Sequence, residues 1–285
     1  MNSCASKMTI ITAIAYTLTF IFINQCLAGA WTQDECKVYE KVGFNYYYAN
    51  REFSMQDDST DFNHFRDANF SNYIEYGITD RFTLINALYY KNLEKEDGSG
   101  TTRANGLGDV DLGLKAKLFE GKWGIASSQL LVKIPGIYGK NDALPLGNAQ
   151  YDLEPRLLYG RSLYPYIPGY CNFELAYRWR FQDPADEFRY LVEFGIDFSK
   201  KVYGRVKLDG ILSMDNGSPY ATSNNPSATN SYDLGKLEVA LGYKINERWG
   251  LELAYTPEIY GRNTTAGATY GIAVTYQNKI FLGGF

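Results

Sequence analysis

The amino-acid sequence predicts an all-β fold, a transmembrane antiparallel up-and-down β-barrel of about twelve strands that follows an N-terminal signal peptide. Three observations carry the prediction. Apolar and charged residues alternate with a period of two along most of the chain. After the first thirty residues no apolar run approaches the roughly twenty residues that a spanning helix needs. Tight turns alternate with long polar connections, as they do when short turns lie on one side of a membrane and loops on the other.

Composition sets the outer limits. The 285 residues carry a formal net charge of -4 and a mean hydropathy of -0.31, which excludes a bundle of apolar membrane helices and a basic nucleic-acid surface. Aromatic residues make up 16% of the chain, with 25 Tyr, 27 Gly and only 9 Pro, a mixture suited to extended, half-buried segments joined by turns.

The first thirty residues read as a separate object. Lys7 precedes an apolar run from Ile10 to Ile23, and the small-residue motif Ala28-Gly29-Ala30 follows. This predicts a signal peptide over 1–30, cleaved after Ala30. A transmembrane anchor is the competing reading, but a run of about fourteen residues is too short to span the hydrocarbon core. Residues 31–40 then form a periplasmic N-terminal segment, and 41–285 the barrel.

The predicted strands are 41–54, 68–79, 81–92, 106–119, 123–134, 149–161, 170–182, 188–199, 203–214, 232–246, 248–260 and 266–277. The first carries tyrosines on both faces, and Asn86 interrupts the apolar face of the third. In the fourth, Val110, Leu112, Leu114, Ala116 and Leu118 oppose Asp109, Asp111, Lys115 and Lys117. In the seventh, Phe173, Leu175, Tyr177, Trp179 and Phe181 alternate with Glu174, Ala176, Arg178 and Arg180, a pattern that a strand explains and a helix does not. The eighth puts Phe188, Tyr190, Val192, Phe194, Ile196 and Phe198 against Arg189, Glu193 and Asp197. The tenth and eleventh set Leu237, Val239, Leu241, Trp249, Leu251 and Leu253 against Lys236, Glu238, Lys244 and Glu252. The last opposes Tyr270, Ile272, Val274 and Tyr276 to small Thr and Gly.

Turns around Thr79-Asp80-Arg81, Glu120-Gly121-Lys122, Ser199-Lys200-Lys201 and Asn246-Glu247-Arg248 are tight, whereas 55–67, 93–105, 135–148 and 215–231 read as long polar loops. Phe82, Trp123, Tyr203 and Trp249 follow the tight turns, which places a ring at one membrane interface four times. An apolar outside and a polar inside require closure, because lipid satisfies no free strand edge. The expected location is the outer membrane of a Gram-negative bacterium, in contact with its lipid.

Two stretches carry a resemblance: Tyr76-Gly77-Ile78-Thr79-Asp80-Arg81-Phe82, a strand-turn-strand joint, and Gly106-Leu107-Gly108-Asp109-Val110-Asp111-Leu112-Gly113-Leu114-Lys115, which opens a strand. Together they resemble the outer-membrane proteins of the MetA-pathway of phenol degradation family, which are labelled as transporters. The likeness is strongest over 70–160. It implies a twelve-stranded barrel and passage of small organic or aromatic compounds, and it supplies no catalytic residues. Phe285, separated from Tyr276 by Asn278 to Gly284, closes the chain as the expected signal to the barrel assembly machinery.

Little in the sequence points to chemistry. Gly106-Leu107-Gly108-Asp109 lacks the spacing and the Lys-Ser/Thr of a phosphate-binding loop. Asp109 and Asp111 share a face with Lys115 and Lys117, and mutual charge compensation is the preferred reading over a cation site. His64, the one histidine, sits in the first long loop, so no strand offers the base that a barrel hydrolase needs to activate a serine. No cluster has metal-ligand spacing. The sequence therefore predicts no catalytic site, no cofactor and no metal. Cys36 and Cys171 both fall near the short-turn end, and a disulfide between them in the oxidising periplasm stands against two unpaired thiols.

If apolar faces meet lipid, the opposite faces line an interior. The residues placed there are Asp109, Asp111, Lys115, Lys117, Glu154, Arg156, Glu174, Arg178, Arg180, Arg189, Glu193, Asp197, Arg205, Lys207 and Glu238, together with Asp152, Asp209, Lys236, Lys244 and Glu252. Twelve strands about 4.8 Å apart, tilted by roughly 40°, give a backbone radius of about 12 Å, which long side chains narrow. The predicted function is a channel for passive diffusion of small solutes. Two other readings stay open: an adhesive or structural barrel that presents long loops such as Asn216 to Ser231, and an outer-membrane hydrolase.

Overall fold

The structure is a computed structural model that describes residues 29–55, 59–98, 100–218 and 223–280. Twelve antiparallel strands close on themselves in sequence order: β1 Lys37–Phe53, β2 Ser59–Thr79, β3 Phe82–Asp97, β4 Gly100–Gly121, β5 Gly124–Ile134, β6 Asp152–Ser162, β7 Gly169–Arg180, β8 Glu187–Asp197, β9 Val202–Ser213, β10 Asp233–Lys244, β11 Trp249–Arg262 and β12 Thr264–Lys279. Closure is made by β1 and β12, whose pairing runs from Lys37 opposite Lys279 to Phe53 opposite Thr264. Every strand has two partners and no edge is left unpaired, the condition for a sheet in lipid. The expected signal peptide and Phe285 lie outside the described residues.

Period two does the sorting. On the outer face Leu157 is 63% exposed and Leu253 57%, and Leu114, Leu130, Leu175, Leu241 and Ile272 are also exposed. A water-soluble fold would bury such residues; an apolar belt facing lipid leaves them open. Rings bound the belt at both rims. Trp249 packs on Tyr276 with ring centroids 4.6 Å apart, and Tyr255 packs on Tyr270 at 5.1 Å. Leu251, Leu253, Ile272 and Val274 lie between these two pairs.

Three differences from the sequence reading have physical causes. The segments 55–67 and 93–105 belong largely to strands, because the β1–β2 and β3–β4 hairpins continue pairing beyond the belt. Their inward residues Phe65 and Leu93 are buried under Leu144 and Leu146 of the β5–β6 connection, so apolar packing, invisible in the local pattern, extends the ladder. Tyr203 points inward and hydrogen-bonds Glu252 at 3.3 Å, instead of joining the outer ring belt. At that turn Phe198 takes the outer position and lies over Gly204, where a Cβ would approach the ring to 2.7 Å. Finally, β1 starts at Lys37 rather than 41, and the stretch before it turns into the barrel.

Candidate functional site in the barrel interior

Contacts between strands that are not neighbours in the sheet define the interior, since side chains converge only on the concave face. Lys41 of β1 pairs with Glu252 of β11, and Arg205 of β9 reaches the same carboxylate at 2.9 Å. Arg189 of β8 reaches Glu154 of β6 at 3.3 Å. Each pair skips a strand.

Two charge clusters occupy this space. In the first, Glu154 is fully buried and faces three guanidinium groups: Arg156 at 2.6 Å, Arg178 at 2.7 Å and Arg189 at 3.3 Å. Arg156 also pairs with Glu174. The cluster continues through Asp152 to Lys133 at 3.0 Å and from Lys133 to Asp109 at 3.2 Å. Arg180 pairs with Glu187 at 3.0 Å. In the second, Arg205 lies 2.7 Å from Glu238 and 3.6 Å from Glu193, and Lys207 lies 3.1 Å from Glu238. Buried charges persist only when paired and hydrogen-bonded, and here Glu154 shares three cations and Glu238 and Glu252 two each.

The predicted residues Lys117, Asp197 and Lys244 stand apart from these clusters. Lys117 bonds Glu120 at 2.8 Å beside the β4–β5 turn, and Asp197 bonds Lys244 at 2.8 Å at the same end of the barrel. The expected compensation of Asp109 and Asp111 by Lys115 and Lys117 is corrected: Asp109 pairs with Lys133 of β5, Lys115 with Glu75 of β2, and a buried oxygen of Asp111 has no hydrogen-bond partner among the described residues. Residues two or four apart on a strand run in line along the wall, whereas a neighbouring strand brings charges side by side.

The loop end is narrowed by the β5–β6 connection. It drops Leu144 and Leu146 into an apolar cluster with Tyr47, Ala49, Phe65 and Leu93, and Lys91 Nζ donates to the Leu146 carbonyl at 3.0 Å. The β9–β10 connection fastens to it: Asn225 donates to the Pro145 carbonyl at 2.8 Å and Asn148 to the Ala228 carbonyl at 3.0 Å. Both segments were expected as polar surface loops; the buried leucines draw the first one inward.

The turn end is narrowed by residues 29–36, which are bonded to the inner wall. Lys115, 1% exposed, donates to the Gly29 carbonyl at 2.9 Å, to the Trp31 carbonyl at 3.0 Å and to Glu75 at 2.9 Å. Glu75 also accepts from Gln33 at 2.7 Å and Tyr73 at 2.6 Å. Trp31 lies against Gly160, where a Cβ would come within 2.3 Å of its ring, and Gly77 lets the Asp34 carbonyl approach closely. Glycine is what admits backbone and ring at these two places. Trp31, Gln33, Lys41, Glu75, Lys133 and Asn172 were not singled out from the sequence. Counting inward positions back from the turn at Thr79 would have found Glu75 and Tyr73; nothing local marks Trp31.

Cys36 and Cys171 are free thiols here, the unbonded one of the two arrangements that the sequence left open. Asn172 and Glu174 face inward, so Cys171 lies on the outward face with Phe173 and Leu175, while the Cys36 amide bonds the Gly77 carbonyl at 2.8 Å on the β2 side. His64 lies on β2 rather than in a loop, and its two ring nitrogens face Glu94 at 3.2 Å and Glu96 at 3.1 Å. No group of three or more His, Cys, Asp and Glu able to hold a metal is present among the described residues.

No family model and no curated protein matches this chain. Solved structures do. An outer-membrane channel from Pseudomonas putida F1 superposes with a TM-score of 0.69 at 12% identity, covering 87% of this chain and 98% of that one. The NanC porin superposes with a TM-score of 0.54 at 10% identity, covering 83% and 98%. The fold is that of an outer-membrane β-barrel. Identities this low speak to architecture alone.

Proposed function

We propose that this protein is an outer-membrane channel for passive diffusion of small solutes through a narrow, charge-lined lumen, with the tight turns in the periplasm and the long connections outside. One observation carries the reading: charges of both signs fill the enclosed face of a barrel whose outer face is an apolar belt. A polar interior of this kind is stable where it is hydrated or fully paired. The buried Asp111 oxygen and the Nε atoms of Arg189 and Arg205, which have no hydrogen-bond partner among the described residues, are groups that water or a solute would satisfy. Mixed signs favour weak selectivity, and the inserted β5–β6 connection sets the narrowest outer passage.

The likeness of the Gly106 to Lys115 stretch to the MetA-pathway family adds small organic compounds, aromatic ones included, as the solute class. Enzymatic action is disfavoured because both nitrogens of His64 face carboxylates, so it is not set up as a base for a serine. A second reading, a barrel that anchors a rigid external surface, draws on the fastening of the β5–β6 and β9–β10 connections to each other. Planar-bilayer recording of the purified protein separates the two. Discrete conductance steps, with liposome swelling limited to small solutes, are expected of the channel; no conductance above background favours the anchored surface.

A further inference from the structure

The leader reading ends at Ala30, yet the structure treats Gly29 and Ala30 as barrel interior. Ala30 is fully buried beside Ile125 and Leu158. Its amide donates to Asn172 Oδ1 at 3.2 Å, and its carbonyl accepts from the Ser127 hydroxyl. The Gly29 carbonyl is one of three acceptors around the buried Lys115 ammonium, which has three protons to donate. Gly29 takes a φ of +83°, and a Cβ there would overlap the Asn172 side chain, so the residue that suits this backbone and this space is glycine.

A chain beginning at Trp31 would lack all of this. Lys115 would keep two acceptors, Ser127 would lose its carbonyl and Asn172 its amide donor. Buried polar groups without partners are rare in folded proteins. The sequence holds another cleavage motif two residues earlier, with Cys26 and Ala28 as the small residues three and one before the cut.

We infer that the chain is processed between Ala28 and Gly29, and that the new N-terminus is seated inside the turn end of the barrel, beside Asn172 and Glu174. A leader peptidase would add one water across the Ala28–Gly29 amide, which leaves a carboxylate on Ala28 and an ammonium on Gly29. Asn172 Nδ2 already donates to Glu174 Oε1 at 2.9 Å, which places a carboxylate close to that ammonium. The inference rests on reading residues 1–28 as a leader and is independent of the channel proposal.

The full-length gene product is purified from outer membranes, and its intact mass and N-terminal peptide are determined. A start at Gly29, reading Gly-Ala-Trp-Thr-Gln, is expected; a start at Trp31, any other start, or a retained leader overturns the assignment. Seating is measured separately by reductive dimethylation of amines in the folded barrel and after heat unfolding. The terminal amine is expected to react at least about tenfold more slowly in the folded protein, as a buried group in a stable core does; equal rates overturn the seating. Absence of bilayer conductance bears on neither result.

Discussion

At the loop end of the barrel, the inserted segment is held by Leu144 and Leu146 pressed against Tyr47, Phe65 and Leu93. At the turn end it is held by Lys115, Glu75, Ser127 and Asn172 bonded to the backbone and side chains of residues 29–33. The first contact scales with buried apolar area and tolerates changes of shape. The second depends on donors and acceptors meeting one for one, and each lost partner leaves a buried charge or dipole uncompensated. The turn end is therefore the brittle one, and single substitutions test that contrast.

The largest effect is expected from Lys115→Met, which strands the buried Glu75 carboxylate and two carbonyls. Breaking one side of a buried pair costs about 3–5 kcal/mol, to be read as a lower urea midpoint and as new protease cleavage within 29–36. Combining it with Glu75→Met should recover much of the loss. If the double variant is as unstable as the single one, the ion pair is not what fastens this end.

Next comes Leu144→Ala with Leu146→Ala. Truncation of a buried leucine costs about 2–5 kcal/mol where the structure cannot relax, but a surface connection can lift away. The expected outcome is an intact barrel with raised single-channel conductance. Unchanged conductance would mean that the β5–β6 connection does not limit the passage.

Glu154→Gln removes the one carboxylate shared by Arg156, Arg178 and Arg189. The barrel wall should hold, and reversal potentials in a salt gradient should shift toward anions, because uncompensated guanidinium groups attract them. A shift toward cations would contradict the placement of this cluster along the solute path.

The smallest effect concerns the β9–β10 connection. Hydrogen bonds from Arg262 and Ser231 hold the Asp215 carboxyl below its ordinary value. A depressed carboxylate contributes stability at pH above its unfolded value of about 3.9 and loses it as pH falls through the folded value. Acid-stable protease digestion should therefore cut this connection faster only at pH well under 4, by a small factor. A change near neutrality would point to another group.

Strand identity and facing were legible because lipid enforces period two along most of the outer wall: Leu112, Leu114, Leu175 and Leu253 read correctly from alternation alone. Ends were less legible. The upward extension of β2 and β3 depends on Phe65 and Leu93 finding Leu144 and Leu146, residues about fifty to eighty positions away, and no local pattern encodes that meeting. Charge partners were likewise out of reach. Lys115 shares a face with Asp111 in the sequence, but the register of β2, β3 and β4 delivers Glu75 to it instead. The seat of the N-terminal segment left no periodic trace, since its hold is made by scattered hydrogen bonds to β2, β3, β4, β5, β7 and the β2–β3 turn.

The seam between β1 and β12 joins the two ends of the polypeptide. The cylinder cannot be completed until the final strand has been synthesised and delivered, so assembly waits on the longest separation along the chain, a condition associated with slow folding. Residues 29–36 precede β1 directly and end up within the wall, so they have to be threaded before or together with that last pairing.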